Sequence, residues 1–522
     1  MTIISYADSA LSLLPPVVAV VLAMITRRVL LSLGLGILIG GLLLTDFSLI
    51  GTGQYLSAKV TSLVWEDGAF NSWNLYILAF LVLLGMITAL ITVSGSARAF
   101  AEWARKHIRN KRDAKLLTIF LGCVVFIDDY FNSLVVGSVA RPLTDRYYVS
   151  RSKLAYLLDS TAAPICVISP VSSWGAYIIA LIGGILTAHG FADSGHLSVF
   201  VQMIPMNFYA IFALLLLICV ALMGLDVGLM REHELNAQKG NLYDEAKGLP
   251  PGAVSDLPEA STGKILGLFL PISVLVVATL YFMISSGADV LTDKGLPFNI
   301  IGAFENTDVG SSLFFGAIIG LIVTLAMSIV QGIDKKMILK GMNMGARSML
   351  PALYILMFAW TIAGVIGQLE TGKYMASLAT GNIPFEMLPA VLFVLAGLTA
   401  FATGTSWGTF GIMLPIAADM AMGSHSAMML PMLAAVLAGA VFGDHCSPIS
   451  DTTILSSTGA SCHHIDHVMT QLPYTLIVAG ISLVGYLVLG FTGSVTIGFI
   501  TCSLLFVMSV ILLRMKSNQG RY

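Results

Sequence analysis

VFGDHCSPISDTTILSS, residues 441–457, carries Asp444 and Asp451 inside a run otherwise as apolar as a lipid-embedded helix. Pro448 stands between the two carboxylates, with His445, Ser447 and Thr452 beside them. An Asp at the centre of a lipid-exposed helix costs about 2.5–3.5 kcal/mol on insertion scales, so the segment needs compensation. Proline supplies a means, because it removes an amide donor and clashes with the preceding turn, breaking the helix and freeing carbonyls. Carboxylates, hydroxyls, freed carbonyls and the negative end of a half-helix together make a hard oxygen site suited to Na⁺. Protonation is the other way to neutralise a buried carboxylate, so one group can hold Na⁺ or H⁺.

The stretch has a second copy. DSTAAPICVIS (159–169) aligns without gaps on GDHCSPISDTT (443–453), with Pro164 over Pro448 and Asp159 opposite Gly443. LLPPVVAVVLAMIT near residue 13 resembles FLPISVLVVATLY near residue 269, and VARPLTDR (139–146) resembles IMLPIAAD (412–419). These correspondences predict an internal repeat.

Composition sets the solvent of that repeat. Of 522 residues, 57% are hydrophobic and 11% charged, with a mean hydropathy of +0.88, whereas soluble domains carry about 25% charged residues. A polytopic, all-α membrane protein follows, with the lipid bilayer as its surroundings. The net charge of −2 gives no reason to expect nucleic acid as a partner. The first apolar run, near Leu11 to Ile25, is preceded by Asp8 rather than a basic segment and reads as a retained helix. Five of the six cysteines fall in apolar runs, which points to packing rather than disulfides.

Runs long enough to span the hydrocarbon occur at about 10–26, 29–44, 73–93, 154–188, 198–223, 263–285, 311–330, 348–368, 428–455, 472–490 and 495–513. Two more, about 115–142 and 386–420, are interrupted by FIDDYFNS and FATGTSWG. Read as re-entrant hairpins, they leave all but Lys59, Lys294 and Lys373 of the 27 Lys and Arg residues on one side. By the positive-inside rule that side is cytoplasmic, with the N-terminus outside and the C-terminus inside. Each repeat then holds five transmembrane helices and one hairpin, an odd number of crossings, so the copies are inverted. Repeat 1 covers 1–224, a cytoplasmic linker 225–262, repeat 2 263–493, and an extra helix with the tail 494–522. Inverted repeats with helices broken at the midplane are a recurrent architecture of secondary transporters.

Polar residues gather at four breaks. The first hairpin supplies Asp128, Asp129, Asn132 and Ser133; the following span Asp159, Ser169, Ser172 and Ser173. The second hairpin supplies Thr403, Thr405 and Ser406; the span after it Asp444, His445, Ser447, Asp451 and Thr452. Each carboxylate has a structural alternative as a helix cap, Asp128 before YFNSLVV above all. A Na⁺ site at Asp444, Asp451 and Thr452 is the sharper reading, because Pro448 disrupts the helix between them. His445 either shuttles protons or donates a hydrogen bond to Asp444 or Asp451. Trp174 and Trp407, beside breaks, read as packing residues. The loop CHHIDHV holds Cys462, His463, His464 and His467, ligand types for a transition metal without a recognised finger or zincin spacing. No phosphate-binding loop or H-E-x-x-H occurs, so neither ATP-driven pumping nor zinc proteolysis is supported.

GDHCSPISDTTILSS, FIDDYFNSLVVGSVARPLTD and KLAYLLDSTAAPICVISPVSSWGAYI together resemble the NhaC family of bacterial Na⁺/H⁺ antiporters, over about residues 10–490. The resemblance implies a secondary transporter of the bacterial inner membrane that uses Na⁺ and H⁺ as coupling ions and no organic cofactor. It also implies that Asp128, Asp129, Asn132, Asp159, Asp444, His445, Ser447, Asp451 and Thr452 lie on the ion or substrate path. The wider family moves malate and lactate or amino acids with the same coupling, so a small organic solute stays open as cargo. No intramembrane Arg stands out to clamp a dicarboxylate. A homodimer is expected by analogy with similar transporters. The leading reading is Na⁺/H⁺ exchange by alternating access, and the alternative is coupled transport of an amino acid or small carboxylate. An intramembrane aspartyl hydrolase using a pair such as Asp128 and Asp444 lacks the G-x-G-D signature and has no need of four breaks.

Overall fold

A lipid-facing helix satisfies its own backbone, so helices are the natural elements for this composition, and helices are what the chain forms. The computed structural model describes residues 4–518 except 27, 67, 127, 171, 190–195, 254–259, 261–262, 378–382 and 425–427; the side chain of Ser173 also lies outside the described residues. Among the described residues, nine helices are long and apolar enough to cross a membrane, and a bent pair, Leu30–Leu44 with Leu49–Ser62 at 120°, adds a tenth. Eight of the eleven expected runs contain such a helix, and the ninth, Phe385–Thr403, comes from the second interrupted run. The 10–26 run winds a 3₁₀ turn, Ala10–Leu13, and the α-helix Leu14–Thr26, too short an apolar stretch to count among the nine, and the 154–188 run is divided into Arg151–Cys166 and Ser173–Ala188.

The two halves share an order of principal elements, with shorter helices such as Leu49–Ser62, Ser96–His107 and Ile300–Glu305 set between them. Three apolar helices are followed by a helix-break-helix unit, a second such unit, and a further long helix. In the first half the units are Lys111–Val124 with Asp129–Phe131 and its continuation to Arg146, then Arg151–Cys166 with Ser173–Ala188. In the second they are Leu388–Thr403 with Ser406–Ser424, then Met429–Cys446 with Asp451–Gly459. The largest buried cluster joins both halves through residues such as Trp174, Phe212, Phe393 and Met432. Phe208 and Phe393 both pack on the Tyr486 ring, at centroid distances of 4.9 and 5.3 Å. Helices Leu388–Thr403 and Met429–Cys446 touch backbone to backbone: a Cβ on Gly443 would lie 1.9 Å from the Gly397 carbonyl oxygen, the close approach small residues permit.

Each break has a local cause. Pro448 cannot continue a helix, and Ser447 before it is extended at φ −79°, ψ 129°. Ser450 then caps the next helix by accepting from the Thr453 amide at 3.3 Å. Gly404 ends its helix in the left-handed region at φ +71°, where a side chain would be strained. Ser172 caps Ser173–Ala188, accepting from the Gly175 amide at 2.8 Å while donating to the Cys166 carbonyl at 2.6 Å. In the first half, Asn132 Nδ2 reaches back to the Gly122 and Val125 carbonyls at 2.6 and 2.8 Å, satisfying the frayed end of Lys111–Val124. Asn132–Val136 is wound as a π-helix, a departure that accompanies functional sites. The two proline copies differ: Pro448 lies in its break, whereas Pro164 lies inside Arg151–Cys166 and the break follows it.

The expected linker loop 225–262 contains a helix, Gly228–Gln238. Its Glu234 pairs with Lys111 at 2.7 Å and accepts from the Ser150 amide at 2.8 Å. Lys153, fully buried, pairs with Asp226 at 2.6 Å, beside the stacked rings of Tyr156 and Tyr474 at 5.6 and 5.4 Å from their centroids. Basic residues that the sequence offers only as orientation signals therefore also fasten the linker to the helices.

Candidate functional site

Carboxylates from both halves meet at one cavity of about 340 Å³. Asp128 and Asp129 arrive from the break after Val124, and Asp451 from the first turn of Asp451–Gly459. Gly404 and Thr405, from the break between Leu388–Thr403 and Ser406–Ser424, add to the polar wall with Asn74. Trp73 and Val309, near the starts of their helices, lie at one end of the cavity, and Trp73 is half-exposed. The Tyr130 hydroxyl donates to Asp451 Oδ2, bridging 321 residues of chain. Asp129 is 1% exposed, and its Oδ2 has no hydrogen-bond partner; Trp174 lies beside it but outside hydrogen-bond geometry. An acceptor buried without a partner costs free energy until a cation or proton reaches it.

Asp444 sits one layer behind. Ser406 Oγ donates to its Oδ2 at 2.8 Å and Ser450 Oγ to its Oδ1 at 2.5 Å. Ser450 and Thr452 share a hydrogen bond of 2.8 Å, and the Thr452 amide donates to Asp451 Oδ1 at 2.9 Å. Two hydroxyls, of Ser450 and Thr452, and the Thr452 amide thus connect Asp444 to Asp451, all of it buried.

A third carboxylate environment is sealed. Asp159 accepts from Gln471 Nε2 at 2.6 Å, Ser456 Oγ at 3.2 Å and Thr453 Oγ1 at 3.3 Å, and its Oδ2 lies 3.1 Å from His467 Nε2. Asp159 and His467 are both fully buried. His445 faces neither Asp444 nor Asp451, the partners expected for it. Its Nε2 meets Ser160 Oγ at 3.1 Å and its Nδ1 meets the Tyr209 hydroxyl at 2.9 Å. It lies in the last turn of Met429–Cys446, where the helical phase turns it toward Phe208–Met223.

The remaining expected residues divide into lining and supporting roles. Thr405 lines the cavity. Asn132, Ser172 and Ser447 are committed to backbone groups, Ser447 Oγ donating to the Phe401 carbonyl at 2.7 Å. Ser133 meets Ser456 at 2.9 Å and so ties the first half to Asp451–Gly459. Thr403 Oγ1 reaches the Thr405 carbonyl at 3.3 Å, and Ser169 offers its carbonyl to Ser172.

The CHHIDHV segment is not a loop with a shared ligand. His464 begins a helix that runs to Thr492. His464 Nε2 lies 2.7 Å from the Pro448 carbonyl oxygen, His467 faces Asp159, and Cys462 Sγ meets Ser152 Oγ at 3.4 Å. Among the described residues no group of three or more His, Cys, Asp or Glu could hold a metal. The six cysteines are unpaired.

Residues absent from the expected set include His467 and Gln471 on Asp159, Tyr130 on Asp451, and the cavity tryptophans Trp73 and Trp360. His467 and Gln471 share one face of a helix at i and i+4, a spacing visible in the sequence. The tryptophans carry no local signal. Trp174 is fully buried as packing, but Trp407 lines the cavity; their rings meet at 5.8 Å.

The sequence profile of the family described as the Na⁺/H⁺ antiporter family matches residues 165–491. An uncharacterised protein of Haemophilus influenzae is 51% identical over 501 residues, 96% of this chain and 94% of its own length. The arginine/ornithine antiporter ArcD of Halobacterium salinarum is 36% identical over 157 residues, 28% of this chain and 29% of its own. The malate-2H⁺/Na⁺-lactate antiporter of Bacillus subtilis is 28% identical over 173 residues, 32% of this chain and 36% of its own.

Proposed function

The chain belongs to the Na⁺/H⁺ antiporter family, and from that premise we propose that it exchanges Na⁺ for H⁺ across the bacterial inner membrane by alternating access. The observation that carries the reading is the meeting of Asp128, Asp129 and Asp451, drawn from the two halves, on one cavity with an oxygen of Asp129 left unpartnered. Na⁺ is held by Asp451 and Thr452, with Asp444 joined to Thr452 through the Ser450 hydroxyl and Asp129 on the same cavity as Asp451. Protons compete for the same carboxylates, so loading one ion expels the other. The two halves act as inverted repeats that rock to expose these groups to either side, with the N-terminus outside and the C-terminus cytoplasmic. The basic clusters on the linker side support that orientation.

A second reading, coupled transport of an organic solute such as an amino acid, is favoured by the size of the cavity, since about 340 Å³ exceeds what a bare cation fills. The named antiporters similar to this chain differ in cargo.

The test is flux in reconstituted vesicles. An imposed Na⁺ gradient is expected to drive counterflow of protons without any added solute, and Asp129→Asn and Asp451→Asn are each expected to lower it by about 100-fold. Parental flux in both variants removes these residues from the coupling site, and proton flux that requires a solute moves the assignment to the second reading.

A further inference from the structure

The cavity is built for more than the two coupling ions. Its volume of about 340 Å³ lies in the range of organic-ligand sites, about 300–1,000 Å³, whereas one water takes about 30 Å³. Among the described residues its charged wall is wholly acidic: Asp128, Asp129 and Asp451 line it, and no Lys, Arg or His does. An organic anion would face three carboxylates without a counter-charge. Its other wall is aromatic, from Trp73, Tyr130, Trp360 and Trp407. The face of an indole or phenol ring attracts cations through its quadrupole and accepts an aliphatic stem by burial.

Two features show that this wall is preformed. Trp407 is held by the Trp174 ring at 5.8 Å and the Tyr177 ring at 4.8 Å, and the Tyr177 hydroxyl donates to the Trp407 carbonyl at 3.4 Å. Asp129 Oδ2, on a side chain 1% exposed, has no partner within the protein. Asp451 has its geometry fixed by the Tyr130 hydroxyl and the Thr452 amide. A buried acceptor left open beside a rigid aromatic wall calls for a donor brought by a ligand.

We propose that the cavity binds an organic cation, a protonated amine or guanidinium on an apolar stem, with its head on Asp129 and Asp451 and its stem against Trp360 and Trp407. The inference rests on the antiporter reading: the organic cation is a second cargo, competing with Na⁺ and H⁺ for the same carboxylates. Exchange of one cation for another at one site needs no chemistry beyond that competition.

Binding and flux separate the two claims. Titration calorimetry on the purified full-length chain uses L-lysine and L-arginine as cationic probes and L-leucine, L-glutamate and L-malate as controls. Saturable binding of a cationic probe alone, weakened by added Na⁺, is the expected result. Trp360→Leu keeps an apolar side chain but removes the ring face and is expected to weaken binding about three- to thirtyfold, with Trp360→Phe restoring most of it. Absence of binding by both cationic probes, equal binding of the controls, or parental affinity in Trp360→Leu overturns the proposal. Sodium-driven proton flux without solute, measured in parallel, reports on the antiport reading: flux without cation binding removes the organic cargo alone, and cation binding without such flux removes Na⁺/H⁺ exchange alone.

Discussion

Asp129 and Asp159 are both buried, both in the first half and both near a break, yet their surroundings are opposite. Asp159 is enclosed by Gln471, Ser456, Thr453 and His467, all from the second half. Asp129 opens on a cavity with one oxygen unpartnered. A carboxylate whose acceptor sites are filled by the protein acts as a joint, because removing it strands several buried donors. A carboxylate left unfilled stores a desolvation cost that a ligand relieves. On the proposed function, the difference separates holding the halves together from moving an ion, although both residues are aspartates in apolar surroundings.

The largest effect that would break this contrast is on transport. Asp129→Asn is expected to lower Na⁺-dependent flux by about 100-fold, the scale of losing one charge-assisted contact of ~3 kcal/mol. Its thermal stability, read from intrinsic fluorescence in detergent, is expected to equal or exceed that of the parent, since an unpaired buried charge is removed. A large loss of melting temperature would make Asp129 a structural residue after all. Asp159→Asn should show the reverse balance, with a destabilisation of about 2–4 kcal/mol, because the buried donors around it lose a charged acceptor. An unaltered melting curve would refute the joint.

Smaller substitutions sharpen the comparison. Ser456→Ala removes one donor from Asp159 and the contact with Ser133, and is expected to cost about 1 kcal/mol while leaving Na⁺ affinity unchanged. Glu234→Gln keeps an acceptor for the Ser150 amide but loses the pairing with Lys111, so a cost of at most about 1 kcal/mol is expected, without effect on ion selectivity. A change in selectivity measured by competition with Li⁺ or K⁺ would tie the linker to the site.

Much of the helical framework is legible in the sequence. Pro448, Gly404 and the serine at position 172 mark breaks by their own chemistry, and the apolar runs mark the helices. The 154–188 run was harder to divide, because Pro164 lies inside a helix and the turn comes later, where Ser172 offers a cap. The partners of His445 are not legible for a related reason: adjacency to Asp444 in sequence is not adjacency on a helix, where successive side chains point about 100° apart, and His445 meets Ser160 and Tyr209 instead. CHHIDHV resembles a polar loop when read linearly, yet His464 and His467 fall in the first turns of a buried helix and face different partners.

By itself the sequence determined the solvent of this chain, its helices, the residues at which they break, and the presence of carboxylates there. Each of those follows from local chemistry: apolar run length, proline's missing donor, glycine's left-handed freedom and serine's capping oxygen. Only the tertiary structure decided which carboxylate is filled and which is open. That choice depends on Gln471 and His467 reaching Asp159 across about 300 residues, and on Trp73, Trp360 and Trp407 converging beside Asp129 and Asp451. Such contacts are set by how helices pack and rotate against one another, and no run of neighbouring residues encodes that.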